Sequence, residues 1–186
     1  MLKNRITIQF CGFGGQGIIL SSVIFGATAV KRINLNAVQT QSYGSEARGG
    51  ECQAELILSP TRIFSPLSDR VDILVALSQP ALTQYLRRLK PRGTLIFDPD
   101  LVKMPDRQDI NIISLPATKA ANNLGMKIVA NMFMLGFLQK ATGMFSADDL
   151  FAIIRENVPA RFEEINLKAA QEGIDFASQH NLVVEV

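Results

Sequence analysis

The segment from Arg5 to Val30 constrains this chain more than any other. Ile6, Ile8 and Phe10 alternate with Thr7 and Gln9, then the chain runs through Cys11-Gly12-Phe13-Gly14-Gly15-Gln16-Gly17. Beyond the glycines, Ile18 to Val30 sets Ile19, Leu20, Val23, Ile24 and Ala27 on one broad apolar face. A period of two, a glycine turn and a period near 3.6 spell strand, tight turn and helix. A strand that turns sharply into an amphipathic helix must pack that helix back over a sheet. The first thirty residues therefore commit the chain to layered α/β architecture.

The remainder continues the alternation. Asn36 to Gln39 predicts a short second strand, and Gln41 to Gly50 a polar loop with three glycines. Cys52 to Leu58 sets Cys, Ala, Leu and Leu against Gln, Glu and Ile, which suits a strand with one exposed face at an edge or antiparallel position. Val71 to Leu77 is continuously apolar, as a strand covered on both faces should be. Pro80 to Leu89 predicts a helix with Pro at its start. Lys90-Pro91-Arg92-Gly93 turns into the strand Thr94 to Phe97, and Asp98-Pro99-Asp100 ends it. Asn111 to Leu115 predicts another short strand and Ala120 to Ala141 a long helix. Ser146 caps a further helix, with Asp148 and Asp149 where the dipole favours negative charge. Pro159 breaks the chain before a last helix from Arg161 to Gln179. No repeat, low-complexity tract or linker interrupts this order. The expected fold is a Rossmann-like, doubly wound α/β domain with a mainly parallel sheet, residues 1–186 forming one domain with helices at its C-terminal end.

Composition removes many chemistries. With a net charge of +2 the chain lacks the strongly basic balance of nucleic-acid binders. One histidine, His180, cannot build a multi-histidine metal site and does not readily serve a Ser-His-Asp triad. Cys11 and Cys52, the only two cysteines, form no CxxC pair and are read as buried or reduced thiols. Asp98 and Asp100 read as turn residues, and His180 as a surface residue. No catalytic or metal-ligating residue is assigned. The N-terminus alternates like a strand and lacks a secretory apolar run, and the longest apolar stretch, Ile128 to Leu138, is too short to span a membrane. The expectation is a cytoplasmic protein that meets neither membrane nor nucleic acid.

Two features stay open. Residues 1–45 carry Lys3, Arg5, Lys31 and Arg32 and no acid, whereas residues 146–186 carry a net −5. That asymmetry fits either an end that meets an anionic ligand or ordinary charged outer helix faces. The chain is also 47% hydrophobic, and Ile128 to Leu138 leaves almost no polar face. Such a helix is either central to the core or part of an interface.

Gly12-x-Gly14-x-x-Gly17 stands where a dinucleotide fingerprint would stand. Glycines let a backbone approach a ligand, and a helix N-terminus offers N–H groups to an anion. The acid expected about 20 residues later for a ribose is missing, since the first carboxylate is Glu46. Ile18 and Ile19 replace the Lys and Ser/Thr of a phosphate-binding Walker loop. The turn serves an anionic ligand or partner contact, a free dinucleotide, or tight helix–sheet packing alone. The segment Gln39 to Gly50 lies just beyond the second strand, where open α/β sheets place ligands. There Arg48 can hold a phosphate or carboxylate bidentately, Tyr43 offers a flat face, or Glu46 and Arg48 pair locally.

Taken together, Cys11-Gly12-Phe13-Gly14-Gly15-Gln16-Gly17 and Gln39-Thr40-Gln41-Ser42-Tyr43-Gly44-Ser45-Glu46-Ala47-Arg48-Gly49-Gly50 resemble the gamma subunit of 2-oxoacid:ferredoxin oxidoreductases. Val71 to Gln79 and Gly93 to Asp98 are similar to that family too, so the resemblance spans roughly residues 5–140. Phe13 and the single Arg48 resemble the 2-oxoglutarate type, while the pyruvate and 2-ketoisovalerate types remain alternatives. The resemblance implies a subunit, inactive alone, of a complex that oxidatively decarboxylates a 2-oxoacid, forms its coenzyme A thioester and reduces ferredoxin. It implies thiamine diphosphate, magnesium and iron–sulfur clusters in alpha, beta and ferredoxin-like delta partners, with coenzyme A as co-substrate and no redox centre in this chain. It further implies a coenzyme A-facing or subunit-facing surface of Gly14, Gly15, Gln16, Gly17, Gln41, Ser42, Tyr43 and Arg48. A stand-alone nucleotide-binding oxidoreductase and a small regulatory binding module are the competing readings.

Overall fold

The computed structural model describes residues 2–43 and 50–185. Strand β1 (Ile6–Phe13) is buried up to its last residue. Its Ile6, Ile8 and Phe10 face the larger apolar cluster, and Cys11 faces a smaller one across the sheet. The glycine turn leads into helix α1 (Ile18–Ile33), which closes on Asn34 in the left-handed region. It outruns its apolar face because Lys31 and Arg32 favour the last turn, where helix carbonyls concentrate negative charge.

Strand β2 (Asn36–Tyr43) pairs antiparallel with β3 (Glu51–Ser59), from Asn36 opposite Ser59 to Tyr43 opposite Cys52. The predicted strand Asn36 to Gln39 is thus four residues too short. Gln41, Ser42 and Tyr43 belong to strand rather than loop. Their polar side chains suit a half-solvated outermost strand, whose backbone is satisfied by β3 on its inner side. Strand β3 also runs antiparallel to β1, so it takes the expected antiparallel position, but inside the sheet. Its second face is closed, contrary to expectation: Glu55 is 5% exposed and accepts a hydrogen bond from Arg88 Nη2 at 2.6 Å.

Strands β4 (Val71–Ala76), β5 (Leu89–Phe97) and β6 (Asn111–Ser114) continue the sheet in parallel, in the order β2-β3-β1-β4-β5-β6. Only β3 runs against the others, so the sheet is mainly parallel. Helix α2 (Gln79–Tyr85) is shorter than predicted and ends in a 3-10 turn over Leu86–Arg88. Lys90 to Gly93 lie within β5, where the register shifts opposite Val71–Ile73, and do not form a separate turn. Helix α2 covers one face, against Leu74, Leu95 and Phe97. The opposite face carries α1 together with α3 (Ala117–Asn123), α4 (Ala130–Thr142), α5 (Ala147–Asn157) and α6 (Glu163–Gln179). With helices on both faces, the sheet is doubly wound.

The single helix predicted over Ala120 to Ala141 is two. Helix α3 stops at Leu124, Gly125 takes φ +82°, and a 3-10 turn over Lys127–Val129 redirects the chain into α4. A left-handed residue is the common way to end a helix, and glycine adopts it without strain. The all-apolar run resolves to a central helix: Met132, Phe133, Met134, Leu135, Phe137 and Leu138 are all at most 4% exposed. It owes this to α6, which crosses it at backbone contact. A Cβ on Gly136 would strike the carbonyl oxygen of Ala170, and one on Gly173 that of Phe133. Helix α4 is therefore covered within the chain, while Ile128 ahead of it stays exposed.

The charge asymmetry resolves in part within the chain. Lys31 pairs with Glu156, and Arg32 Nε meets Asp149 Oδ1 at 2.7 Å, joining α1 to α5.

Candidate functional site

The carboxyl ends of β1, β4 and β5 open on one side of the sheet. After β1 the chain crosses to β2 and β3 on one flank, then returns to β4 on the other. Between β1 and β4 the winding reverses, and α/β sheets form their ligand crevice at such a point. The glycine turn lies there.

Its shape depends on Gln16. The Oε1 of Gln16 accepts the Phe13 N–H at 2.6 Å, and its Nε2 donates to the Leu77 carbonyl at 2.9 Å. One amide thus ties the end of β1 to the connection after β4. Across the turn, the Gly14 N–H donates to the Gly50 carbonyl at 3.0 Å, linking it to the start of β3. Gly17 caps α1 at φ +75°, and a Cβ there would collide with the Asn131 side chain from α4. Glycine is required at this position on both counts.

Two cavities flank the turn. One, of about 290 Å³, is lined by Gly15, Gln16, Leu77, Leu101, Thr118, Lys127 and Ile128. The other, of about 320 Å³, holds Phe13, Gly14, Gly17, Tyr43, Cys52, Ile128 and Asn131 along its walls. Ile128 is shared and 57% exposed; Tyr43 is 64% exposed. The first turn of α1 carries no acid. The crevice is apolar-walled, with backbone amides and one lysine, and such walls suit a ligand with an aliphatic stem and an anionic group.

The structure brings Gly14, Gly15, Gly17 and Tyr43 together around these cavities. Gln16 joins them, with its side chain engaged in holding the turn. Gln41 and Ser42 are exposed on β2 and line neither cavity. Arg48 lies outside the described residues, as does Gly44 to Gly49 as a whole. Sequence reasoning passed over Thr118, Lys127 and Asn131. Asn131 left a signal, being the only polar side chain in the run Ile128 to Leu138. Lys127 immediately precedes that run. Thr118 left none, since its position depends on where α3 begins.

Neither thiol is poised for chemistry. Cys11 is fully buried, and burial, reinforced by the charge of Glu51, pushes its thiol far above the ordinary range. Burial also raises the Cys52 thiol, on the opposite face of the sheet. Among the described residues, no three His, Cys, Asp or Glu side chains gather where they could hold a metal. Two thiols buried on opposite faces of the sheet do not fit an iron–sulfur cluster. Asp98 is buried and structural: its Oδ2 accepts the Thr118 N–H at 2.6 Å and its Oδ1 the Asp100 N–H at 3.0 Å. His180 is exposed and stacks on Phe176 at 4.2 Å.

The profile of the pyruvate ferredoxin/flavodoxin oxidoreductase family matches residues 7–176. The chain belongs to this family. It is 43% identical over 180 residues to the 2-oxoglutarate synthase subunit KorC of Methanothermobacter thermautotrophicus, covering 93% of this chain and 95% of that one. The gamma subunit of a keto/oxoacid ferredoxin oxidoreductase from Geobacter sulfurreducens superposes with a TM-score of 0.84 at 36% identity, over 95% of this chain and 98% of the other. A 2-oxoglutarate:ferredoxin oxidoreductase from Magnetococcus marinus, solved with 2-oxoglutarate, coenzyme A and succinyl-CoA bound, shares the fold at a TM-score of 0.85 and 23% identity. This chain spans 96% of itself and 32% of that longer polypeptide. With these 43% and 36% identities, the chain is a gamma-type subunit of an oxidoreductase complex. Among its described residues, no helix is long and apolar enough to cross a membrane.

Proposed function

We propose that this chain is the gamma subunit of a cytoplasmic 2-oxoglutarate:ferredoxin oxidoreductase that converts 2-oxoglutarate and coenzyme A to succinyl-CoA and carbon dioxide. The observation that carries the reading is the 43% identity to a 2-oxoglutarate synthase subunit over nearly the full length of both chains. Residues 1–186 act as one domain beside alpha and beta subunits and a ferredoxin-like delta subunit. Those partners hold thiamine diphosphate, magnesium and the iron–sulfur clusters, and ferredoxin accepts the electrons.

This chain's part is to shape an approach, not to react. Gln16 holds the turn rigid, and the apolar walls of the crevice exclude water from whatever passes over them. Gly14, Gly15, Gln16 and Gly17, with Gln41, Ser42, Tyr43 and Arg48, form the surface that faces coenzyme A or the neighbouring subunit. Arg48 supplies the bidentate cation for a phosphate.

The test uses the intact complex purified from its source. Ferredoxin reduction with coenzyme A is expected to be fastest with 2-oxoglutarate. A preference for pyruvate or 2-ketoisovalerate overturns the substrate, and a chain that travels without thiamine diphosphate-bearing partners overturns the assignment. In the same complex, Arg48→Ala is expected to raise KM for coenzyme A about tenfold or to loosen the subunit. Unchanged kinetics in an intact complex would remove Arg48 from the site.

A further inference from the structure

The proposed coenzyme A-facing surface uses the Gln41, Ser42 and Tyr43 side chains at the end of strand β2 and leaves that strand's outward backbone and its Asn36–Thr40 stretch free. Strand β2 is the last strand on its side, so its outward N–H and C=O groups have no strand partner among the described residues. Edge strands are ordinarily blunted by charge, proline or a bulge. The eight residues Asn36–Tyr43 contain no charge and no proline, and pair with β3 in unbroken register.

Beside this edge, between β2 and α1, runs a mainly apolar groove of about 270 Å³ lined by Ser22, Val23, Ala27, Val30, Ala37 and Gln39, with Lys31, whose amine pairs with Glu156, as its one charged residue. Two polar atoms buried in it, Ser22 Oγ and Gln39 Nε2, have no hydrogen-bond partner, and Ser22 is fully buried. Val30 is 44% exposed along its rim. A buried donor without an acceptor is destabilising, since it has lost its water and gained no partner. An apolar groove, an unpaired strand edge and an unsatisfied amide in one place describe an interface waiting for another strand.

From this we infer that β2 pairs with β2 of a second copy of this chain across a twofold axis at Gln39, joining two sheets edge to edge. The strand's own sequence selects that occupant. With Gln39 opposite Gln39 of the second copy, Val38 faces Thr40 and Ala37 faces Gln41, so every cross-strand pair is neutral. Gln39 lies opposite Leu56 on β3, the residue packed under Gly26 of α1, so the pair sits on the helix-covered face. The amide nitrogen of each Gln39 then has the other's carbonyl oxygen as acceptor. On the opposite face, Val38 and Thr40 give the β-branched pairs that stabilise antiparallel strands. The helices agree with this spacing. Helix α1 lies over β2 and β3, so its symmetry mate would stand two strand spacings away, about 10 Å, at the upper end of the range for packed helices. Val23, Ala27 and Val30 would meet there.

The full-length chain tests this in solution, independently of substrate or of the other subunits. Sedimentation is expected to find a dimer. Gln39→Glu, which sets two carboxylates face to face, should weaken it at least about tenfold at neutral pH while the circular dichroism spectrum stays that of the folded parent. Gln39→Cys should give a covalent dimer with diamide, since opposed strand residues lie within disulfide range and the two native thiols are buried. A monomer at all concentrations, a dimer indifferent to Gln39→Glu, or a Gln39→Cys dimer that stays uncrosslinked each overturns the inference.

Discussion

At the scale of single residues, Gln16 does the most with the least. Its one amide satisfies a backbone N–H from β1 and a carbonyl beyond β4, and so fixes the turn on which the crevice depends. Gln16→Ala leaves both groups without a protein partner and should lower stability by about 1–3 kcal/mol in chemical denaturation. A variant as stable as the parent would mean that water replaces the amide. The residue was legible as part of a motif, but its role was not. A glutamine between glycines reads as a hand offered to a ligand; only the position of Leu77, 61 residues on, shows that the hand is already taken.

At the scale of elements, the crossing of α4 and α6 decides how the C-terminal half packs. Their backbones touch because Gly136 and Gly173 carry no side chain where Ala170 and Phe133 present carbonyls. Backbone cannot rotate out of the way as a side chain can, so Gly136→Ala must drive the helices apart. We expect a loss of about 3 kcal/mol and a lower melting temperature by calorimetry. A neutral substitution would refute the close crossing. Helix α5 was read correctly from Ser146 onward, because a capping box is a local device: Ser146 accepts the Asp149 N–H, and Asp149 accepts the Ser146 N–H in return. The division of α3 from α4 was missed because apolar residues continue on both sides of Gly125, from Leu124 and Met126 to Ile128 and Val129, and one glycine costs only about 1 kcal/mol and need not break a helix.

At the scale of the whole molecule, two cations of the first segment, Lys31 and Arg32, meet two acids of the last, Glu156 and Asp149. Arg32 donates to Asp149 and, with the Ser146 hydroxyl, holds its carboxyl below the usual carboxylate range. A carboxyl lowered in the folded state contributes stability that is present above its unfolded value near 3.9 and disappears as pH falls through the folded value. The wild type should therefore exceed Asp149→Asn by about 1 kcal/mol at pH 7, and the gap should shrink as pH falls below the unfolded value near 3.9. Urea titrations across pH would measure this. A constant gap would assign the effect to shape rather than charge.

The sequence by itself determined the α/β class, the order of elements apart from the division of α3 from α4, and the family. All of these rest on local periodicity, on residue counts and on two contiguous motifs, which a linear string preserves. Tertiary structure decided what depends on residues distant in the chain. It made β2 twice its predicted length because β3 pairs with it. It turned the all-apolar helix inward because α6 covers it, and buried Glu55 because Arg88 reaches it. It also built the cavity walls from Leu77, Thr118 and Lys127, which no spacing connects to the glycine turn. Burial and pairing are properties of neighbours in space, and only folding brings those neighbours together.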